Sequence, residues 1–362
     1  MKIAIFHELD FGGAKRVVME FAKRLKKNHH VDLYYVSEDK DRDIGDFFNE
    51  TYFYKFYSKV WKGSNWKIRL YKDTIELISL YSLHKKIAQD IKSKNYDYIF
   101  IHPSKFTQAP FLLRFLKNKC IYYCQEPLRI VYDPFLSDIS HIKFPKNIYE
   151  FLNRKFRKWI DSENFKNASI VLANSDYSKE FIKNSYGRIA EVCYLGIDAE
   201  LFKPFKENKS IDVLFIGNND DGYGLLKESL KLFKTKPKLK TIFRDKKISI
   251  ADQELVKIYN SSKVLVALNH NEPFGLIPLE AMACGTPVVA VEEGGYRESI
   301  IDSQTGYLIP RDPSILYEKV NKIINDLSLG ERMGKNAREN ILKNWIWDKS
   351  VERFLKIIKY AR

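Results

Sequence analysis

Short apolar runs recur along the chain, each followed by glycine or polar residues and then by a stretch of helical periodicity. The first is Lys2-Ile3-Ala4-Ile5-Phe6. An unbroken run of this kind reads as a strand buried on both faces, as in a parallel sheet. Gly12-Gly13 follows, then Val17, Val18, Phe21, Ala22 and Leu25 at helical spacing, then Val31-Asp32-Leu33-Tyr34-Tyr35-Val36. That is one βαβ unit with its glycines at the strand-to-helix turn. Strands are predicted again at 98–101, 121–123 and 170–173. The alternation then restarts: 213–216 ends at Gly217, 264–268 leads into 271–285, and 287–291 ends at Gly294-Gly295. Two successive sets predict an α/β protein of two doubly wound domains with a cleft between them. The expected division is 1–186 and 187–345, with 346–362 a helix packing back on the first domain.

A length of 362 residues agrees with two domains, and 45% hydrophobic with 30% charged residues is a globular composition. Cys120, Cys124, Cys193 and Cys284 are too scattered for a disulfide framework and lack zinc-ligand spacing, so they read as core thiols in a reducing compartment. MKIAIFHELD turns acidic too early for a signal peptide, and no run of about 18 apolar residues could span a membrane. The expected location is the cytoplasm, peripheral on the cytosolic face of a membrane. Charge narrows the partners. Residues 1–190 carry 34 Lys and Arg against 22 Asp and Glu, a net +12 of the total +15. A basic first half beside a nearly neutral second half expects a negative partner for one domain.

The segment Asn271 to Val289, NEPFGLIPLEAMACGTPVV, carries the chemistry. Gly275 allows a tight turn, Pro278 suits a first helical turn, Leu279, Met282 and Ala283 form a buried stripe, and Gly285 ends the helix. Backbone N–H groups from Phe274 to Ile277 then face outward at a positive helix end, which suits phosphate. Glu272 and Glu280 frame that end. A carboxylate can accept two hydrogen bonds from a vicinal diol, as in ribose or a pyranose. From the residues alone, a helix-dipole role for Glu280 and a solvated loop for Glu272 are equally open.

Glu272 and Glu280, seven residues apart with Phe274-Gly275-Leu276 after the first, resemble the E-x7-E signature of glycosyltransferase family 4, whose fold is GT-B, two facing Rossmann-like domains. FGGAKRVVMEFAKRL at 11–25 is similar to the family's glycine-rich loop and helix, and Tyr123-Cys124-Gln125-Glu126-Pro127 to its acceptor-side segment. Ala173-Asn174-Ser175 with Ser178, Leu195-Gly196-Ile197-Asp198 with Phe202, Gly294-Gly295 with Glu298, and Gly306-Tyr307-Leu308 follow in the family's order. The resemblance implies a retaining hexosyltransferase using a UDP- or GDP-linked sugar, with no metal or other cofactor. Glu280 would hold the ribose and Glu272 the sugar hydroxyls as a catalytic residue. Amides of Phe274, Gly275 and Leu276 would contact sugar and phosphate, and Gly13 would let the first loop approach the diphosphate. His102 and Glu126 would bind the acceptor, a lipid-linked or other glycan.

Two departures stand out. The family's diphosphate-binding Arg and Lys fall on Asn218 and Tyr223, so Asn218 takes a donor-side position, and Arg244, Lys246 or Lys247 is the candidate for the missing charge. Gln125 replaces the histidine that commonly precedes Glu-Pro, so it can orient a hydroxyl at the catalytic position but cannot take its proton. An inactive relative serving as a membrane or complex partner stays open. The segments 51–72, with eight aromatics, six Lys or Arg and no acid, and 147–160, with Ile148, Phe151, Leu152, Phe156, Trp159 and Ile160 at helical spacing, suggest docking on an anionic membrane. Core packing is the alternative for 147–160. Nucleic acid is not an expected partner, since no nucleic-acid motif accompanies the basic residues. Asp41-Arg42-Asp43, a D-x-D match, reads as a solvated loop within EDKDRDIGD.

Overall fold

The computed structural model describes residues 1–9, 12–41, 44, 46–59, 66–117, 119–217, 222–243 and 250–360. The chain divides into two compact units. The first comprises Met1–Asn174, Ser178–Cys193 and Leu355–Arg362; the second comprises Ser175–Tyr177 and Tyr194–Phe354.

In the first unit, β1 (Lys2–His7), β2 (His30–Ser37), β3 (Thr51–Lys55), β4 (Tyr98–Ile101), β5 (Cys120–Tyr123), β6 (Ile170–Ala173) and β7 (Glu191–Val192) form a sheet of order β3-β2-β1-β4-β5-β6-β7. Every pairing is parallel, with Ile3 opposite Val31 on one side and Tyr98 on the other. Because β7 extends this sheet, the first unit runs to Cys193, beyond the division expected at 186. The central strands are buried on both faces, as their continuous apolar runs require. The helix Gly13–Leu25 buries Val17, Val18, Phe21, Ala22 and Leu25. All four cysteines are buried and free.

The first strand of the segment 51–72 has a structural role. Thr51–Lys55 is the edge strand, and Tyr52 and Tyr54 stack on Tyr34 with ring centroids 4.6 and 6.4 Å away. Tyr52 and Tyr54 therefore help to complete the sheet, while Tyr57 further along the segment is exposed. Residues 60–65 lie outside the described residues.

In the second unit, β8 (Ile211–Gly217), β9 (Leu239–Phe243), β10 (Ser262–Ala267), β11 (Val288–Val291) and β12 (Gly306–Ile309) form a parallel sheet of order β12-β11-β10-β8-β9. Connections from β8 run to one side through β9, and from β10 to the other through β11 and β12. The carboxyl ends of β8 and β10 are thus the point where strand order reverses, the place where open α/β sheets bind ligands. The helix Leu276–Ala283 follows β10. It buries Ile277 through Ala283 without interruption, so the single apolar stripe expected there is in fact burial on all sides. Arg338 secures its far end by donating to the carbonyls of Ala283 (2.9 Å), Phe202 (2.7 Å) and Ala199 (2.9 Å). The last helix, Trp347–Tyr360, ends in residues that group with the first unit, where the Tyr98 hydroxyl donates to the Ile358 carbonyl at 2.9 Å.

Candidate active site

The residues after β10 form a loop that three contacts within the second unit hold rigidly. The Gly295 amide donates to the Glu272 carbonyl at 2.8 Å, and the Ser175 hydroxyl donates to the Pro273 carbonyl at 2.6 Å. Arg311 donates to the Leu268 carbonyl at 3.0 Å and also to both oxygens of Glu293. Burial would raise the Glu293 carboxyl, but the Arg311 guanidinium outweighs it and holds the group below its ordinary range. Gly294 and Gly295 are needed for close approach. A Cβ on Gly294 would meet the Glu272 carbonyl at 2.3 Å, and one on Gly295 the Pro273 carbonyl at 2.6 Å.

The turn into the helix is made by Gly275 in the left-handed region, φ 93° and ψ 77°. A Cβ there would lie 2.6 Å from the Tyr296 ring, so glycine is required twice over. Among the described residues, the amides of Phe274, Gly275 and Leu276 have no hydrogen-bond acceptor. They sit at the positive end of the helix and at the switch point of the sheet, a combination that suits an anion. Glu272 is partly exposed and its Oε2 accepts from Asn269 Nδ2 at 3.0 Å, while Asn269 Oδ1 is buried without a partner among the described residues. Glu280, in the second turn, is buried and its Oε2 accepts from the Tyr259 hydroxyl at 2.7 Å. Tyr259 is itself fixed, its carbonyl accepting from Thr286 at 2.7 Å. The structure thus brings Glu272, Phe274, Gly275, Leu276 and Glu280 onto one turn and helix. Asn218, Arg244, Lys246 and Lys247 lie outside the described residues.

The other sequence-derived residues lie at the carboxyl ends of the first sheet's central strands. Gly13 opens the helix after β1. His102 follows β4, wholly buried, with neither ring nitrogen bonded among the described residues. Burial, and the neighbouring charge of His7, push its pKa well below the ordinary value, so the imidazole is neutral. Gln125 follows β5; its Nε2 is buried and unpartnered among the described residues, and its carbonyl accepts from Ser178 at 3.0 Å. Glu126 is partly exposed, with its carboxylate 4.0 Å from Arg129.

A buried pair at the end of β1 has no counterpart among the residues expected from the sequence. His84 Nδ1 accepts from the Leu112 amide at 3.0 Å, which leaves Nε2 to donate to Glu8 Oε1 at 2.7 Å. Both side chains are fully buried, and Glu8 Oε2 has no partner among the described residues. The available signal was His84 itself, placed on the stripe of Leu80, Ile87, Ala88 and Ile91. Orphaned buried polar atoms of Glu8, His102 and Gln125 therefore gather at the ends of β1, β4 and β5, and a polar ligand would satisfy them.

Comparison with known proteins agrees with this architecture. The family profile described as Glycosyltransferase Family 4 matches residues 11–201, which is 191 of the 362, and that described as Glycosyl transferases group 1 matches 173–340. The D-inositol 3-phosphate glycosyltransferase of Streptomyces bingchenggensis is 37% identical over 98 residues, 27% of this chain and 21% of that protein. The chain thus spans well under a third of the length of such curated relatives. The alpha-1,3/1,6-mannosyltransferase ALG2 of Dictyostelium discoideum is 26% identical over 434 aligned positions, covering 99% of this chain and 98% of that one. The Anabaena protein HepE, solved in complex with UDP and glucose, superposes with a TM-score of 0.69 at 18% identity, covering 99% of each chain. With more than half of its length matched by the family profile, the chain belongs to glycosyltransferase family 4 and has the two-unit α/β architecture of the GT-B fold.

Proposed function

We propose that the protein transfers a hexose from a UDP- or GDP-linked donor to a lipid-linked or other glycan acceptor, with retention of anomeric configuration, at the cytosolic face of a membrane. The observation that carries the reading is the left-handed turn at Gly275, which aims unbonded amides from a helix end at the switch point between Glu272 and Glu280. Family membership supports transfer from an activated sugar. In this reading Glu280 holds the ribose, Glu272 the hydroxyls of the transferred sugar, and the amides of Phe274, Gly275 and Leu276 the sugar and phosphate. Arg244, Lys246 or Lys247 supplies charge that Asn218 cannot. As the nucleoside diphosphate departs it gains negative charge, and preorganised donors at the helix end stabilise it. Removing one such donor typically costs about 2.7–4 kcal/mol of barrier. The acceptor oxygen attacks the anomeric carbon from the departing side, without a covalent nucleophile, as the bond to the diphosphate breaks, and the acceptor's proton passes to the departing phosphate oxygen. In the first unit, Gln125 and Glu126 orient acceptor hydroxyls, and neutral His102 can give or accept a hydrogen bond but bring no charge.

Among the described residues, no helix is long and apolar enough to cross a membrane. Support for docking comes from the helix Lys146–Phe165, whose amphipathicity is inverted. It buries Asn153, Asp161 and Asn164, while Ile148, Phe151, Leu152, Phe156 and Trp159 are 45–60% exposed. The core-packing alternative holds only for its inner end, where Ile160 is buried. An apolar face left open beside Lys155 and Lys158 fits an anionic bilayer surface.

Calorimetric titration with UDP, GDP and their sugar conjugates tests the donor assignment, beside a Glu280→Gln variant. One nucleotide should bind to the wild type and at least about tenfold more weakly to the variant, the loss of one charge-assisted hydrogen-bonding group. Absence of binding to any nucleotide would overturn the assignment in favour of an inactive relative. The anomeric proton of the transferred sugar, followed by NMR, decides retention.

A further inference from the structure

Two hollows flank the helix Lys146–Phe165, each about 210 Å³. Among the described residues, the first is lined by Arg69, Lys72, Arg154 and Arg157 with Asp73 and Glu150 opposing them, so four cations meet two carboxylates. Asp73 is committed to Arg157, Tyr149 and Asn153, and Glu150 pairs with Arg69. Among the described residues, Lys72 donates to neutral acceptors, the Ser58 hydroxyl at 2.9 Å and the Lys59 carbonyl at 3.0 Å, and that hydroxyl donates on to the Glu76 carboxylate at 2.7 Å. The strongest bonds of Arg154 likewise go to carbonyls, those of Ile130 (3.1 Å) and Leu136 (2.9 Å), with Glu150 at 3.9 Å. Within the described lining, cations exceed carboxylates by two, with Glu76 linked to Lys72 through Ser58. A π-helical turn over Lys72–Glu76 interrupts the segment that carries Lys72 and Asp73, and such turns concentrate at functional sites.

The second hollow has apolar walls of Ile130, Val131, Ile139 and Phe151, with Lys155 and Lys158 beside them and no acid among the described residues. Ile130 and Arg154 line both hollows, so one molecule can occupy the two together. Its chemistry follows from the lining: an anionic head of about two charges at one end and an apolar chain at the other. A phosphomonoester carries about −1.5 to −2 at neutral pH, and the planar fork of arginine matches its oxygens.

We propose that the two hollows form one binding site for a single lipid with a phosphomonoester headgroup, phosphate against Lys72 and Arg154 and chain along Ile130, Ile139 and Phe151. The proposal rests on the membrane-docking reading and deepens it: it distinguishes capture of one lipid from adsorption on a charged surface.

The test is sedimentation with phosphatidylcholine vesicles at physiological salt, doped to equal surface potential with phosphatidate or with phosphatidylglycerol. The wild type should bind phosphatidate vesicles about tenfold more tightly, as one additional charge-assisted contact gives. Lys72→Gln/Arg154→Gln should lose that preference and bind both alike. Lys72→Gln alone, whose described bonds go to a hydroxyl and a carbonyl, should lose much of it while unfolding at the wild-type temperature. Lys143→Gln/Lys146→Gln, exposed residues outside both hollows, should keep it. Equal binding of the wild type to both vesicles, or a preference that survives in the Lys72 and Arg154 variants, overturns the lipid site but leaves docking intact. Binding to neither anionic vesicle overturns docking and site together. If millimolar inorganic phosphate alone removes the preference, the pocket takes free phosphate and the lipid assignment falls.

Discussion

The Tyr259 hydroxyl donates to Glu280 Oε2 at 2.7 Å, both groups being buried beside the turn that carries Glu272. The bond fixes one carboxylate oxygen and so orients the other. Tyr259→Phe should remove it while keeping the ring's packing against Phe202, 6.2 Å between centroids. The expected result is a loss of about 1–3 kcal/mol in stability, the penalty for a buried acceptor left with one donor fewer. Nucleotide affinity should fall with it and turnover of bound donor should not. Chemical denaturation and a split of KM against kcat check the two parts.

Gly275→Ala should be more damaging than its size suggests. The left-handed conformation costs a residue with a Cβ about 1–2 kcal/mol, and that Cβ would also lie 2.6 Å from the Tyr296 ring. The turn must open, which redirects the amides of Phe274 and Leu276. Nucleotide binding, followed by calorimetry, should be lost in a protein whose far-ultraviolet circular dichroism is unchanged. An affinity equal to that of the wild type would remove the turn from the donor site.

Much of this architecture is legible in the apolar runs, because parallel strands buried on both faces leave an unambiguous pattern. Gly275, Glu272 and Glu280 are legible because turn, helix start and carboxylates lie within one short segment. Other features depend on contacts distant in sequence. Glu8 meets His84 across 76 positions, and neither neighbourhood signals the other. The edge strand Thr51–Lys55 has the composition of a basic-aromatic surface because its lysine neighbours mask tyrosines that stack on Tyr34. Periodicity in 147–160 shows that the helix has an apolar side but not which side is buried. That depends on Asp161 and Asn164 finding partners in Ala109, whose amide donates to Asp161 at 2.9 Å and whose carbonyl accepts from Asn164 at 2.7 Å.

The outward apolar side of that helix makes its own prediction. Phe151→Ser/Trp159→Ser removes side chains that are about half exposed, so stability should change by less than about 1 kcal/mol, as for surface positions generally. Binding to anionic vesicles should fall by at least about tenfold, since each buried large apolar side chain contributes roughly 1.5–3 kcal/mol. Sedimentation with vesicles beside thermal unfolding separates this from a folding defect. Unchanged vesicle binding would assign the face to another partner.

Asp161 predicts how stability depends on pH. It is fully buried, with the Ala109 amide at 2.9 Å and the Tyr186 hydroxyl at 2.6 Å on its two oxygens. Burial raises its carboxyl to about 7, the two hydrogen bonds offsetting only part of the effect. In the unfolded chain the same group titrates near the ordinary aspartate value of about 3.9. The folded state therefore holds the proton more tightly. Its contribution to stability is fully present below the unfolded value and is lost progressively as pH rises through about 7. A difference of about 3 units corresponds to a ceiling of about 4 kcal/mol, at 1.36 kcal/mol per unit. Asp161→Asn keeps an acceptor for the Ala109 amide and cannot ionise. Denaturation midpoints of the variant should vary less between pH 5 and pH 8 than those of the wild type, and at pH 8 the variant should be the more stable of the two. A wild-type protein that gains stability over that interval through this residue, or a variant with an identical pH profile, would show that Asp161 is ionised in the folded state.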